Sequence, residues 1–282
     1  MDLVFWAPVM AGGLIAGASS GLLGVFIVGM RIPFLAVCVA HAALAGSVFG
    51  SLLGLQGQAL LLPALGAAVL SALLLGLLSP QKTHMDDNVL LGVLFSATMG
   101  VAFLGIGLHG ILGRSDNDVR SLLWGNLNFC RWRDVRLMLA VLVVLLTFVL
   151  AFFKEMRAIL FSRQDAAAVG IPATPIWTAF LVLAALTLTV NFQTVGGLMI
   201  YSLIANPAAA AFQLVKGFRN AIYAAMLLGA TSGLGGFLIS SATDLPSGAI
   251  IVLFSSALVG LAALVRAMSS AFRGGGTQQG VS

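Results

Sequence analysis

The chain has 282 residues, 60% of them hydrophobic and only 8% charged, with a mean hydropathy of +1.08. Soluble domains carry roughly 25% charged residues, so a water-covered surface is excluded and most of the outside must face lipid. Fourteen Lys and Arg against nine Asp and Glu give a net charge of +5. The basic residues sit in short connections between apolar runs, which excludes a folded nucleic-acid-binding face and fits membrane-orientation signals.

A bilayer core about 30 Å thick needs about 20 apolar residues in a helix. Nine segments meet or approach that length: 5–29, 34–55, 59–78, 89–112, 137–153, 174–190, 193–213, 221–240 and 246–267. The expected fold is an all-α polytopic membrane protein with eight to nine transmembrane helices. No Lys or Arg precedes Arg31, and the apolar stretch from Val4 to Val28 is longer than the 7–15 residues of a signal-peptide core. The first segment is therefore expected to be a retained membrane helix. The second contains "FLAVCVAHAALAG" (34–46), where no charged side chain occurs from Ile32 to Leu55 and yet His41 stands near the middle. Cys38 precedes it by three residues, a spacing that puts thiol and imidazole on one helical face. In the seventh segment, Gly196, Gly197 and Pro207 interrupt the run, and a broken helix is tolerated only where it is buried in protein or lines a cavity. Eight complete spans plus a broken one is the alternative count.

Small residues recur at helical spacing: "GASSG" (17–21), then Gly46, Gly50 and Gly54, then Gly229 and Gly233. They allow close helix approach, either within one subunit or between two. The charged connections orient the chain. Lys154, Arg157 and Arg163, then Lys216 and Arg219, then Arg266 and Arg273 mark one side, and carried backward Arg31 and Lys82 join them. The positive-inside rule makes this side cytoplasmic. The loop 113–136 falls on the opposite side although it carries five Arg, and its "VRSLLWGNLNFCRW" reads as an interfacial segment.

All nine carboxylates lie outside the proposed spans. Ion-coupled carriers usually use acidic groups inside the membrane, so a proton- or sodium-driven mechanism is disfavoured. The chain has no P-loop pattern, and any energy from ATP must come through another subunit. His109 near a span end and His84 beside Asp86 and Asp87 are further polar candidates, read as a snorkelling side chain and a solvated loop. Cys38 in a span and Cys130 in a polar loop are not expected to form a disulfide.

The chain resembles the permease subunits of ATP-driven importers of zinc, manganese and iron, which are related to the cobalamin importer's membrane subunit. The resemblance rests on "MRIPFLAVCVAHAALAG" (30–46), "SLLWGNLNFCRWRD" (121–134), "QDAAAVGIP" (164–172), "TVGGLMIYSLIANPAAAA" (194–211) and "SGLGGFLISSATDLPSGAIIVL" (232–253), in that order over nearly the whole chain. It implies a type II importer-like permease in a bacterial inner membrane: one transmembrane domain over 1–272 with a cytoplasmic coupling loop over 154–173. It also implies a homodimer docked on cytoplasmic ATPase subunits, which use the ATP, and an extracytoplasmic binding protein that delivers metal. The tail "RGGGTQQGVS" (273–282) reads as disordered from its composition.

The resemblance assigns coupling to a short helix within 162–172, with Gln164, Asp165, Ala168, Gly170 and Ile171 facing the ATPase. Asp165 near a helix N-terminus suits the dipole. In the family the second helix carries an Asp one turn before the His, and the pair contributes to a metal site. His41 matches, but Val37 occupies the Asp position, leaving Cys38 as the neighbouring donor. Imidazole with thiolate suits zinc better than manganese, so zinc is the favoured cargo and manganese or iron the alternative. Asn206 is a candidate pathway-lining residue. An ATP-independent channel or carrier is the rival class, and an assembly factor a third.

Overall fold

The structure is a computed structural model that describes residues 3–78, 86–112, 127 and 130–274. His84, most of the loop 113–129 and the tail from 275 onward fall outside these residues.

With no water to satisfy backbone groups in the bilayer, each apolar run closes its own hydrogen bonds as a helix. In chain order these are α1 (Leu3–Gly29), α2 (Leu35–Leu52), α3 (Leu61–Leu77, entered through a 3₁₀ turn at Gly57–Leu60), α4 (Asp87–Ile111) and α5 (Trp132–Ala151). Two short helices follow, α6 (Phe153–Phe161) and α7 (Arg163–Ala168), then α8 (Ala173–Val195), α9 (Gly197–Leu214), α10 (Phe218–Thr243) and α11 (Ser247–Gly274). No strand occurs among the described residues. Eight of the helices are long and apolar enough to cross a membrane. The ninth segment, α9, has 18 residues and is separated from α8 by Gly196 alone, whose φ of +97° only glycine adopts readily. The alternative count, eight spans plus a shorter segment set off by a glycine break, fits these helices, and Pro207 does not interrupt α9.

α1 is the central helix and packs on α5, α8, α9 and α10. Its contact with α10 is backbone against backbone: a Cβ on Gly17 would lie 2.0 Å from the Gly229 carbonyl oxygen, and one on Gly229 would lie 2.1 Å from that of Gly17. In α2, a Cβ on Gly46 would lie 2.2 Å from the Pro63 carbonyl oxygen of α3. Glycines from all three small-residue stretches thus serve packing within one subunit. α4 is held chiefly by α2 and, like α11, is little buried, while α9, α10 and α11 pack together on the other side of α1. One buried polar knot sits in the middle of the bundle: Asn191 of α8 donates from Nδ2 to the hydroxyls of Ser19 at 2.9 Å and Ser20 at 3.3 Å on α1.

The basic connections divide between the two ends of the bundle as the sequence predicts. Arg31, Arg157 and Phe218 line one cleft at the first end, and Asp87 and Arg163 line another beside it. At the opposite end Arg133 bonds Gln58, and Cys130 lies against Gly12 near the start of α1. The described part of the Arg-bearing loop therefore does lie opposite the other basic connections. Both cysteines are free and buried. Burial, with the Asp134 carboxylate adding to it, pushes the Cys130 thiol up to about 12, so it stays protonated and inert at neutral pH.

Candidate functional site

α2 positions the first candidate. His41 is half-buried, with its ring edge-on to Phe95 of α4 at a centroid distance of 4.8 Å. Its Nδ1 lies 2.8 Å from the carbonyl oxygen of Val37, one turn earlier. A carbonyl can only accept, so Nδ1 carries the proton and the lone pair is on Nε2. Nε2 has no partner among the described residues. A neutral imidazole oriented through Nδ1 with Nε2 open is the form in which histidine binds metal. The residue at the position of the missing carboxylate thus still orients the imidazole, through its main chain.

His109 makes the opposite case. It is 1% exposed. Its Nδ1–H donates to the Gly105 carbonyl at 2.8 Å, and Nε2 accepts from the Ser51 hydroxyl at 3.0 Å. The snorkelling expected from sequence is wrong: both nitrogens are used, and the ring ties the outer end of α4 to α2.

Cys38 and His41 turn to different neighbours despite their spacing. The Cys38 thiol is buried 3.8 Å from the Ser71 hydroxyl of α3, whereas His41 faces α4. No group of three or more His, Cys, Asp or Glu capable of holding a metal occurs among the described residues. The described residues of one chain thus offer an incomplete donor set.

The second candidate is the segment between α6 and α8. Ser162 caps α7, its hydroxyl accepting from the Asp165 amide at 3.1 Å, and Asp165 lies in the first turn as expected. Gly170, at φ +86°, turns the chain, and Pro172 stands just before α8. Gln164, Asp165, Ala168 and Gly170 are exposed, and Ile171 is half-buried. Sequence reading passed over two residues here: Phe161 is 89% and Val169 76% exposed. Large apolar side chains projecting at the charged end of a bundle mark an interaction surface. An apolar residue inside a basic, polar connection was the signal available for both.

Asn206, the third candidate, bonds across to a neighbouring helix. Its Nδ2 donates to the hydroxyls of Ser255 at 3.0 Å and Ser256 at 3.1 Å, tying α9 to α11. Interhelical bonds of this kind contribute about 0.6 kcal/mol in membranes, at most about 1.7. Asn206→Ala is expected to lower stability by that modest amount, read as a small drop in thermal midpoint, while transport persists; loss of transport at normal stability would make Asn206 a pathway residue instead.

The sequence matches the ABC 3 transport family over residues 2–266. The chain belongs to that family. It is 31% identical to the zinc transport system membrane protein TroC of Treponema pallidum, over 87% of this chain and 83% of the relative. It is 26% identical to the manganese transport system membrane protein MntC of Halalkalibacterium halodurans, over 90% of this chain and 84% of the relative. Among solved structures, PsaBC from Streptococcus pneumoniae shares the fold at a TM-score of 0.77 and 22% identity, over 92% of this chain and 90% of that one. The helices described above are therefore those of an ABC-transporter permease.

Proposed function

We propose that this permease is the transmembrane subunit of a binding-protein-dependent, ATP-driven importer of divalent metal ions, working as a homodimer on cytoplasmic ATPase subunits. The observation that carries the reading is His41: an imidazole with its tautomer fixed by the Val37 carbonyl and its Nε2 open, in an otherwise apolar helix. Two copies facing each other would bring two such nitrogens together and add to the donors that the described residues of one chain supply. A transported ion needs a site strong enough to admit it and weak enough to release it, so few ligands suit the task.

Manganese and zinc both occur among the relatives' names, and these do not favour zinc. The preference for zinc rests on the donors alone, an imidazole with a thiol nearby and no carboxylate at position 37. The segment 162–172 receives the motion of the ATPase, with Gln164, Asp165, Ala168, Gly170 and Ile171 in the contact.

The test is uptake of radiolabelled zinc and manganese by cells expressing the whole transporter. His41→Ala at matched membrane levels is expected to lose at least tenfold, the scale on which disturbing metal-site residues acts. Normal uptake in that variant would make the imidazole a packing residue. Retained uptake in Cys38→Ser would remove the thiol from the ligand set and leave zinc without its main argument.

A further inference from the structure

We propose that Asp87 and Arg163 form a latch through which the coupling segment moves α4, and that Phe95 on α4 is the lid over the His41 imidazole. This rests on the reading of His41 and of residues 162–172 given above.

The latch is a single contact. Arg163 opens α7, and its Nη2 lies 3.5 Å from Oδ1 of Asp87, the first residue of α4. Its guanidinium also lies 5.0 Å over the Trp177 ring at the start of α8, which holds it in place on its own side. Among the described residues this is the one polar tie between the coupling segment and α4. A cleft of about 360 Å³ surrounds the pair, lined also by Ser162, Thr174 and Trp177, so there is room for the two groups to part.

α4 is built to be moved. It packs chiefly on α2 and is among the least buried of the spans. At its far end His109 bonds Ser51 of α2, which supplies a pivot. At its near end Asn88 also donates to the Arg31 carbonyl at 3.2 Å, a tie to the α1–α2 turn that does not involve the coupling segment. Phe95 sits fourteen of the twenty-two residues from His109 toward Asp87. A rigid helix swinging about His109 therefore carries about two thirds of the displacement at Asp87 to Phe95.

The lid is the aromatic contact. Phe95 stands edge-on to His41 at 4.8 Å and to Phe34 at 5.1 Å, so its ring fills the space between the α2 entry and the imidazole. A gap of about 1 Å forfeits a quarter to a half of such a dispersion contact. By the lever ratio this needs a swing of about 1.5 Å at the latch. Small motion of α7 is thus sufficient to loosen the Phe95 ring from the His41 imidazole.

The test uses the full chain, purified with its ATPase partner in liposomes. Asp87→Arg, Arg163→Asp and the double reversal are compared by two readouts. The first needs neither metal nor ATP: the rate at which a water-soluble thiol reagent modifies the thiol of His41→Cys in a Cys38→Ser, Cys130→Ser background. The second is metal taken up per ATP hydrolysed with His41 intact. Each single reversal is expected to speed modification and to lower uptake per ATP by roughly three- to thirty-fold, the range seen for mutations that alter coupling between sites. The double reversal is expected to return both toward wild type. Unchanged modification in the single variants, or no recovery in a well-folded double variant, overturns the latch. Modification that follows the latch in a complex importing neither metal would leave the latch standing and overturn the transport reading alone.

Discussion

Gly17→Leu is expected to leave no folded protein. A single Cβ at position 17 already falls 2.0 Å from the Gly229 carbonyl oxygen and 2.5 Å from its carbon. The obstacle is backbone, which cannot swing aside as a flexible side chain can. The clash would force apart the whole α1–α10 seam, in which Cβ atoms on Gly21 and Gly233 would also lie 2.2 Å and 2.0 Å from the opposing carbonyl oxygens. In lipid no hydrophobic effect drives helices together, so close packing is most of what holds them. Gly17→Ala is expected to cost about 3 kcal/mol, the upper part of the usual overpacking range, and a Leu side chain more. Gly66→Ala on α3, where a Cβ meets nothing within 4 Å, is the matched control and is expected to be tolerated. Size-exclusion profiles and thermal midpoints in mild detergent would report the difference; a monodisperse Gly17→Leu would contradict the packing described.

Val169→Glu is expected to weaken association with the ATPase by at least about thirtyfold, which is the effect of losing one interfacial hot spot of about 2 kcal/mol. Val169 projects at the turn made by Gly170 and touches little of its own chain, so the substitution does not disturb the fold. A carboxylate there would have to be desolvated against whatever pocket receives the isopropyl group. Co-purification of the ATPase with the tagged permease reads the effect directly. Undiminished recovery of the ATPase would move the docking surface away from the α7–α8 turn.

Much of this fold was legible because the bilayer leaves a chain few choices. The apolar runs at 5–29, 89–112 and 246–267 became α1, α4 and α11, and of the interruptions expected in the seventh segment Gly196 marked a break while Pro207 is carried inside α9. The helix ends were less legible, since membrane helices run past their apolar stretch: α5 begins at Trp132 rather than at 137. At the site, spacing alone put Cys38 and His41 together, but α3 and α4 flank α2 on two sides and take one side chain each. The Asp87–Arg163 pair joins residues 76 positions apart, which no local pattern encodes. The open Nε2 of His41 and the filled one of His109 were equally invisible, because only the packed structure shows which hydroxyl stands opposite which ring.

The seam between α1 and α10 also sets a schedule. α1 is the first helix to enter the bilayer, but Gly229 and its neighbours belong to a helix that begins at Phe218, and Asn191, which bonds Ser19 and Ser20, comes only shortly before it. At a synthesis rate of roughly 5–20 residues per second, the interval from the end of α1 to the start of α10 is about 10–40 s. During that time Asn191 and the helices α5, α8 and α9 arrive, but the Gly17–Gly21 face of α1 still lacks its α10 partner. The α1–α10 seam therefore closes only after α5, α8 and α9 are made, and a ribosome that stops before α10 leaves the Gly17–Gly21 face of α1 without the backbone it packs on.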